Sequence, residues 1–152
     1  MGVGFVGLGA MGRPVAQHLM RGGHALTIFA RRPDVRDALV AEGAVGAGSP
    51  AEVAAASDVI FTMVTATADV EEVLFGARGI AEGVAAGSLV VDMSTIAPQA
   101  ASDFAARLDA RGVDMLDAPV SGGPEGARNG TLTIMAGGTR DAFARALPLL
   151  QC

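Results

Sequence analysis

The first residues that could do chemistry are Gly7-Leu8-Gly9-Ala10-Met11-Gly12, a G-x-G-x-x-G spacing. An apolar run of strand length, Val3 to Val6, leads into it. Met11, Val15 and Leu19 then recur at four-residue spacing, which places them on one face of a helix. In a strand–turn–helix of this kind the first glycine allows the tight turn. The second lets the backbone approach a pyrophosphate, and the third permits close helix–strand packing. The unpaired N–H groups and dipole at the helix N-terminus favour an anion there. Pro14 suits a first helical turn, where its missing N–H costs nothing. Alone the pattern is weak in a chain with 21 glycines. Its context, with a second strand at Ala25–Phe29, points to dinucleotide binding over a merely structural turn.

The end of that second strand bears on which dinucleotide. A site for NAD places an acid there to accept from the ribose hydroxyl, whereas Ala30-Arg31-Arg32-Pro33 supplies two guanidiniums and no acid before Asp34. Arg31 and Arg32 could grip a 2′-phosphate bidentately, so NADP is expected over NAD. The competing reading makes both of them solvated surface charge, Arg32 above all. Further along, Met63, Val64 and Thr65 end an apolar strand, and Ser94 and Thr95 follow another. Both ends should face the crevice outside the strand carboxyl termini. Pro119-Val120-Ser121-Gly122-Gly123-Pro124 offers successive backbone amides for an anion, or else a plain Gly-Gly turn.

Other reactive side chains are sparse. All 11 cationic residues are arginines, so no lysine is present to act as an acid or base. His18 and His24 have no acid or nucleophile at a catalytic spacing and are read as structural. Ser94 and Ser121 belong to no visible Ser–His–Asp arrangement. The sole cysteine, Cys152, leaves no internal disulfide and no zinc site.

The elements that must position these residues alternate between strand and helix. Helices are expected around Val35–Val40, ending at Gly43, and after the N-cap pair Ser49-Pro50. Others run through Val70, Val73 and Leu74 to Gly76, through Phe104 and Leu108 to Gly112, and through Phe143, Leu147 and Leu150. Strands are expected at Asp58–Val64, Leu89–Asp92, Val113–Ala118 and Thr131–Ala136, with a weak one at Ala44–Gly46. The alternation predicts an α/β fold, a doubly wound, mostly parallel Rossmann-type sheet, as one domain over 1–152. A net charge of −5 disfavours nucleic acid and anionic membranes as partners. No apolar stretch approaches the roughly 20 residues that cross a bilayer, and no cleavable leader is visible. A cytoplasmic protein is the expectation.

Side by side, the motifs resemble those of the β-hydroxyacid dehydrogenase family, which includes 3-hydroxyisobutyrate dehydrogenase, tartronate semialdehyde reductase and glyoxylate/succinic semialdehyde reductase. The resemblance covers the whole chain. It rests on Gly4-Phe5-Val6-Gly7-Leu8-Gly9-Ala10-Met11-Gly12 and on Asp92-Met93-Ser94-Thr95-Ile96-Ala97-Pro98. Most specific is Asp117-Ala118-Pro119-Val120-Ser121-Gly122-Gly123, continuing to Gly130–Gly138. It implies reversible hydride transfer between nicotinamide and a small 3-hydroxy acid or its semialdehyde. It also implies cofactor contacts from the glycine loop, Val64, Thr65 and Thr95, with Arg31 as the phosphate ligand. Ser121, Gly122 and Gly123 would hold the substrate carboxylate.

Two positions depart from the family pattern: Thr65 stands where many members have proline, and the catalytic lysine has no counterpart here. The helical second domain, which closes the cleft and builds the dimer in the family, is also absent from this stretch, and a face left bare would favour self-association. The expectation is a cofactor-binding half without its own general acid or base. A non-catalytic dinucleotide-binding module on the same fold is the alternative. A dehydrogenase of sugar-acid phosphates, with Arg128 as a phosphate contact, is a third reading.

Overall fold

A computed structural model describes residues 1–152. Strands β1 (Val3–Val6), β2 (Leu26–Phe29), β3 (Val45–Gly46), β4 (Val59–Thr62), β5 (Leu89–Asp92) and β6 (Asp114–Asp117) form one parallel sheet in the order β3-β2-β1-β4-β5-β6. Helices α1 (Gly12–Arg21), α2 (Pro33–Ala41), α3 (Pro50–Ala55), α4 (Thr67–Phe75), α5 (Ile80–Gly83) and α6 (Pro98–Asp109) make the crossovers. The strand order reverses between β1 and β4, and in such a sheet that point opens a crevice outside the strand carboxyl ends. β1, β4 and β5 are buried along their whole length, as expected of strands covered on both faces.

Side chains alternate across this sheet and build two apolar layers. One side carries Phe5, Ile28, Phe61, Val91 and Leu116 against Leu19 of α1, with Phe5 and Phe61 stacked at 5.9 Å. The other carries Val6, Ile60, Val90 and Met115 against α3, α4 and α6, where Val70, Val73, Leu74, Phe104 and Leu108 are buried as their spacing predicted. Ser49 caps α3 by accepting from the Glu52 amide at 3.2 Å, and Gly43 and Gly76 end α2 and α4.

Three expectations are corrected, and one further helix was not expected at all. The strand expected over Thr131–Ala136 shrinks to β8 (Thr133–Ile134), which pairs antiparallel with β7 (Val120–Ser121) outside the main sheet. Between them Gly123–Asn129 forms a helix, α7, where a run of anion-binding backbone amides or a Gly-Gly turn was expected up to Pro124 and no helix beyond it. The four-residue α5 has too little periodicity to be seen. In the last helix, α8 (Arg140–Leu150), the buried residues are Ala142, Ala146 and Leu149, while Phe143 is left exposed. Small alanines let this helix lie close to the sheet, a contact that a search for large apolar residues passes over.

Candidate functional site

The carboxyl ends of β1, β2, β4 and β5 converge on the α1 N-terminus, and the sequence explains how. At Gly7 the backbone has φ +100°, and an added Cβ would strike the Met63 carbonyl oxygen. The turn after β1 therefore needs glycine both for its dihedral and for its closeness to the end of β4. At Gly12 a Cβ would fall on the Gly7 carbonyl oxygen, so this glycine lets the helix start directly under the turn. Gly9 differs: nothing lies within 4 Å of its Cβ position. Its open side is cleft. The first turn of α1 has no side-chain cap and no acidic residue, which leaves its positive end available to an anion.

The cleft has two compartments that share Gly9, Met63, Val64 and Thr65. The outer one, about 450 Å³, reaches from Gly7 and Leu8 to Ala30, Arg31 and Arg32. The inner one, about 370 Å³, runs from Ala10, Met11 and Gly12 to Met93, Ser94, Thr95 and Val120. The structure thus gathers all the glycine-loop residues, Arg31, Arg32, Met63, Val64, Thr65 and Thr95 around one crevice. The two arginines differ. Arg32 reaches Asp34 at 3.0 Å in an exposed ion pair, whereas Arg31 lines the cleft without an acidic partner. Ser121, Gly122 and Gly123 are exposed and line neither compartment, with Val120 alone carrying that loop into the inner one. Gly122 and Gly123, at φ +136° and +63°, turn the chain from β7 into α7.

A polar row that the sequence reading did not single out underlies the cleft. Thr62, Asp92 and Asp117 occupy matching register positions at the ends of β4, β5 and β6. The fully buried Asp92 carboxylate accepts from the Thr62 hydroxyl at 2.8 Å and from the Ser94 amide at 3.2 Å. Ser94 Oγ in turn accepts from the Val64 amide at 2.9 Å. Burial raises the pKa of Asp92 and that of Asp117, and the Asp117 charge adds to the effect at Asp92. The visible signal in the sequence is the pair of apolar strands that each end in an aspartate. Ser94, expected to face the crevice or cap a helix, lines the inner compartment and also ties the β4 end to the β5 end.

Neither compartment is lined by a histidine or a lysine; the one carboxylate is Asp69, in the outer compartment. His18 is turned away to α7, where its Nε2 lies 3.0 Å from the Ala127 carbonyl and 3.1 Å from that of Arg128. Arg21 donates to its Nδ1 at 3.2 Å. A neutral imidazole protonated on Nε2 satisfies all three contacts, which agrees with a structural role. No three His, Cys, Asp or Glu residues cluster as metal ligands would.

Comparison with known proteins adds the family. Residues 2–152 match the NAD binding domain of 6-phosphogluconate dehydrogenase. The chain belongs to this family of NAD-binding domains. It is 48% identical over 151 residues to the 2-hydroxy-3-oxopropionate reductase of Escherichia coli K12, covering 99% of this chain and 51% of that protein. To the mitochondrial 3-hydroxyisobutyrate dehydrogenase of Mus musculus it is 45% identical over 150 residues, covering 99% and 45%. Among solved structures it superposes on 3-hydroxyisobutyrate dehydrogenase from Salmonella typhimurium with a TM-score of 0.92 and 41% identity, covering 99% of this chain and 52% of that one. A structure of Psf3 in complex with NADP+ and 2-OPP gives a TM-score of 0.92 at 34% identity, covering 98% and 53%. The NAD-binding domain thus spans about half the length of these relatives, and its Rossmann-type sheet is theirs. No helix of the domain is long and apolar enough to cross a membrane.

Proposed function

We propose that residues 1–152 form the NADP-binding half of an oxidoreductase that moves a hydride between nicotinamide and a small 3-hydroxy acid or its semialdehyde. The observation that carries this reading is the single crevice running from Arg31, past the open side of Gly9, to Thr95 and Val120. The open cradle at Gly9 and the uncapped α1 N-terminus fit a pyrophosphate. Arg31, which makes no ion pair, would meet the 2′-phosphate of NADP, and Arg32, already paired with Asp34, contributes less. The chain's similarity to a 3-hydroxyisobutyrate dehydrogenase and a 2-hydroxy-3-oxopropionate reductase supports the substrate class.

Bound NADP supplies the hydride donor or acceptor. The residues of this chain bind and orient it: the glycine loop holds phosphates, and Met63, Val64, Thr65 and Thr95 form the wall at the nicotinamide end. Ser121, Gly122 and Gly123 would take the substrate carboxylate from the rim, next to Val120. The hydroxyl proton that accompanies the hydride needs a group outside residues 1–152, because this stretch has no lysine and its histidines lie away from the cleft.

Calorimetric titration with NADPH and then NADH tests the reading. NADPH should bind more tightly, and Arg31→Ala should remove the preference while leaving NADH affinity within about twofold. Equal affinity of the unaltered chain for both would refute the NADP assignment, and failure to bind either would refute the cofactor role of this stretch by itself.

A further inference from the structure

The row Thr62–Asp92–Asp117 has no place in the function proposed above, yet it is the only polar row buried in the sheet beside the cleft. Residues in parallel register project to the same side of a sheet. These three stand on the side of Val6, Ile60 and Val90 and are the last residues of β4, β5 and β6. Asp92 has no exposed surface, and no cation acts on it; Asp117 is the one charged group that does. Asp92 Oδ2 and Asp117 Oδ1 are both buried without a hydrogen-bond partner.

A buried carboxyl with one orphan oxygen and a like charge for its neighbour is a costly way to fill space. An apolar residue would satisfy the fold alone, as Val90 and Met115 do one turn of the pleat earlier on the same strands. What the carboxyl supplies is a fixed acceptor. Its Oδ1 takes both the Thr62 hydroxyl and the Ser94 amide, which sets the Ser94 side chain, and Ser94 Oγ holds the Val64 amide. Val64 is shared by both compartments of the cleft and sits between Met63 and Thr65.

We propose that Asp92 is a positioning residue for the inner half of the cleft, fixing the Met63–Thr65 wall through Ser94 and the Val64 amide. The inference rests on the reading of that cleft as a dinucleotide site. Its consequence is local: Asp92 governs the Met63–Thr65 wall, which beside Thr95 and Val120 would meet the nicotinamide end, and does not reach Arg31 and Arg32 at the far end of the outer compartment, where the 2′-phosphate would lie. Asparagine can replace it, because the amide oxygen keeps both accepted bonds and the amide nitrogen occupies the place of the orphan Oδ2.

Two readouts on the intact chain test this. In the first, NADPH and adenosine 2′,5′-bisphosphate, which carries only the 2′-phosphate end, are titrated into the unaltered chain, Asp92→Ala and Asp92→Asn. Asp92→Ala should weaken NADPH at least tenfold and leave the bisphosphate within twofold, while Asp92→Asn stays within threefold for both. In the second, amide hydrogen exchange is followed by NMR without ligand. Exchange at Val64 should quicken at least tenfold in Asp92→Ala while Phe5 in β1 changes less than twofold, and Asp92→Asn should restore it. Ser94→Ala keeps the Thr62 bond to Asp92 and carries both tests if Asp92→Ala does not fold. Equal weakening of both ligands, faster exchange at Val64 and Phe5 together, no change at either, or failure of asparagine to rescue would each overturn the proposal. If the unaltered chain binds neither ligand, the cofactor reading falls, and the exchange measurement still decides whether Asp92 sets Val64.

Discussion

Gly9 and Gly12 belong to one motif but should fail in opposite ways when each is replaced by alanine. At Gly12 the new methyl would meet the Gly7 carbonyl oxygen and come within 3.2 Å of the Phe5 ring. Those neighbours are a backbone turn and a fully buried aromatic, neither of which can swing aside. Overpacking of this kind costs about 1–3 kcal/mol, occasionally more. The better helix propensity of alanine returns at most about 1 kcal/mol, and less at the first residue of α1. The expected net loss is about 1–3 kcal/mol, or a Tm lowered by roughly 3–10 °C in a chain of this length. At Gly9 nothing lies within 4 Å and φ is not positive, so stability should hold within about 0.5 kcal/mol. The methyl instead stands where a pyrophosphate would approach. Losing one charge-assisted hydrogen bond of about 1.5–3 kcal/mol lowers NADPH affinity roughly 10- to 150-fold. Thermal melting and calorimetry on the two variants suffice. An unchanged Tm for Gly12→Ala would refute the packing argument, and NADPH affinity within threefold for Gly9→Ala would refute the close-approach argument.

Other outcomes follow from the same geometry. Asp92 has a raised pKa in the fold, so its neutral form contributes stability that is complete below the unfolded value near about 3.9 and is lost as pH rises through the folded value. Asp92→Asn, which stays neutral, should therefore gain on the unaltered chain in urea midpoint from pH 4 to pH 8, and a difference that is flat with pH would show the carboxyl to be charged in both states. Thr62→Val leaves Asp92 Oδ1 with one bond fewer and should cost about 1–3 kcal/mol by urea unfolding; a loss below 0.5 kcal/mol would mean that the hydroxyl is dispensable. His18→Ala removes the contact to the α7 carbonyls and should speed amide exchange in Gly123–Asn129 while β1 is unaffected, whereas uniform acceleration would mark a global effect.

The strand–turn–helix at Val3–Leu19 and the parallel order were legible because each has a local cause: apolar runs of strand length, glycines at a fixed spacing, and helix faces such as Val70, Val73 and Leu74. The crevice residues could be named from their places at strand ends, although their service to a cofactor stands on the reading proposed here. What escaped depends on partners distant in the chain. α7 opens with Gly-Gly-Pro and contains Gly126, a poor local helix pattern, and it is tied down by His18 more than 100 positions away. β8 takes its direction from Val120 and Ser121, which no periodicity in Thr131–Ala136 encodes. Asp92 and Asp117 look like ordinary strand-end acids until the register of β4, β5 and β6 lines them up with Thr62.

The two ends of the sheet also bear on how the chain behaves when crowded among its own copies. β3 is only two residues long, so little unpaired backbone is offered at that margin. At the other margin Asp117 exchanges both of its main-chain bonds with Gly137, an antiparallel contact that closes the last rung of β6 to an incoming strand. A short edge and an edge blocked at one end are two ordinary defences against strand-to-strand aggregation. They protect a sheet whose central strands, exposed in a partly opened state, would otherwise be strongly adhesive.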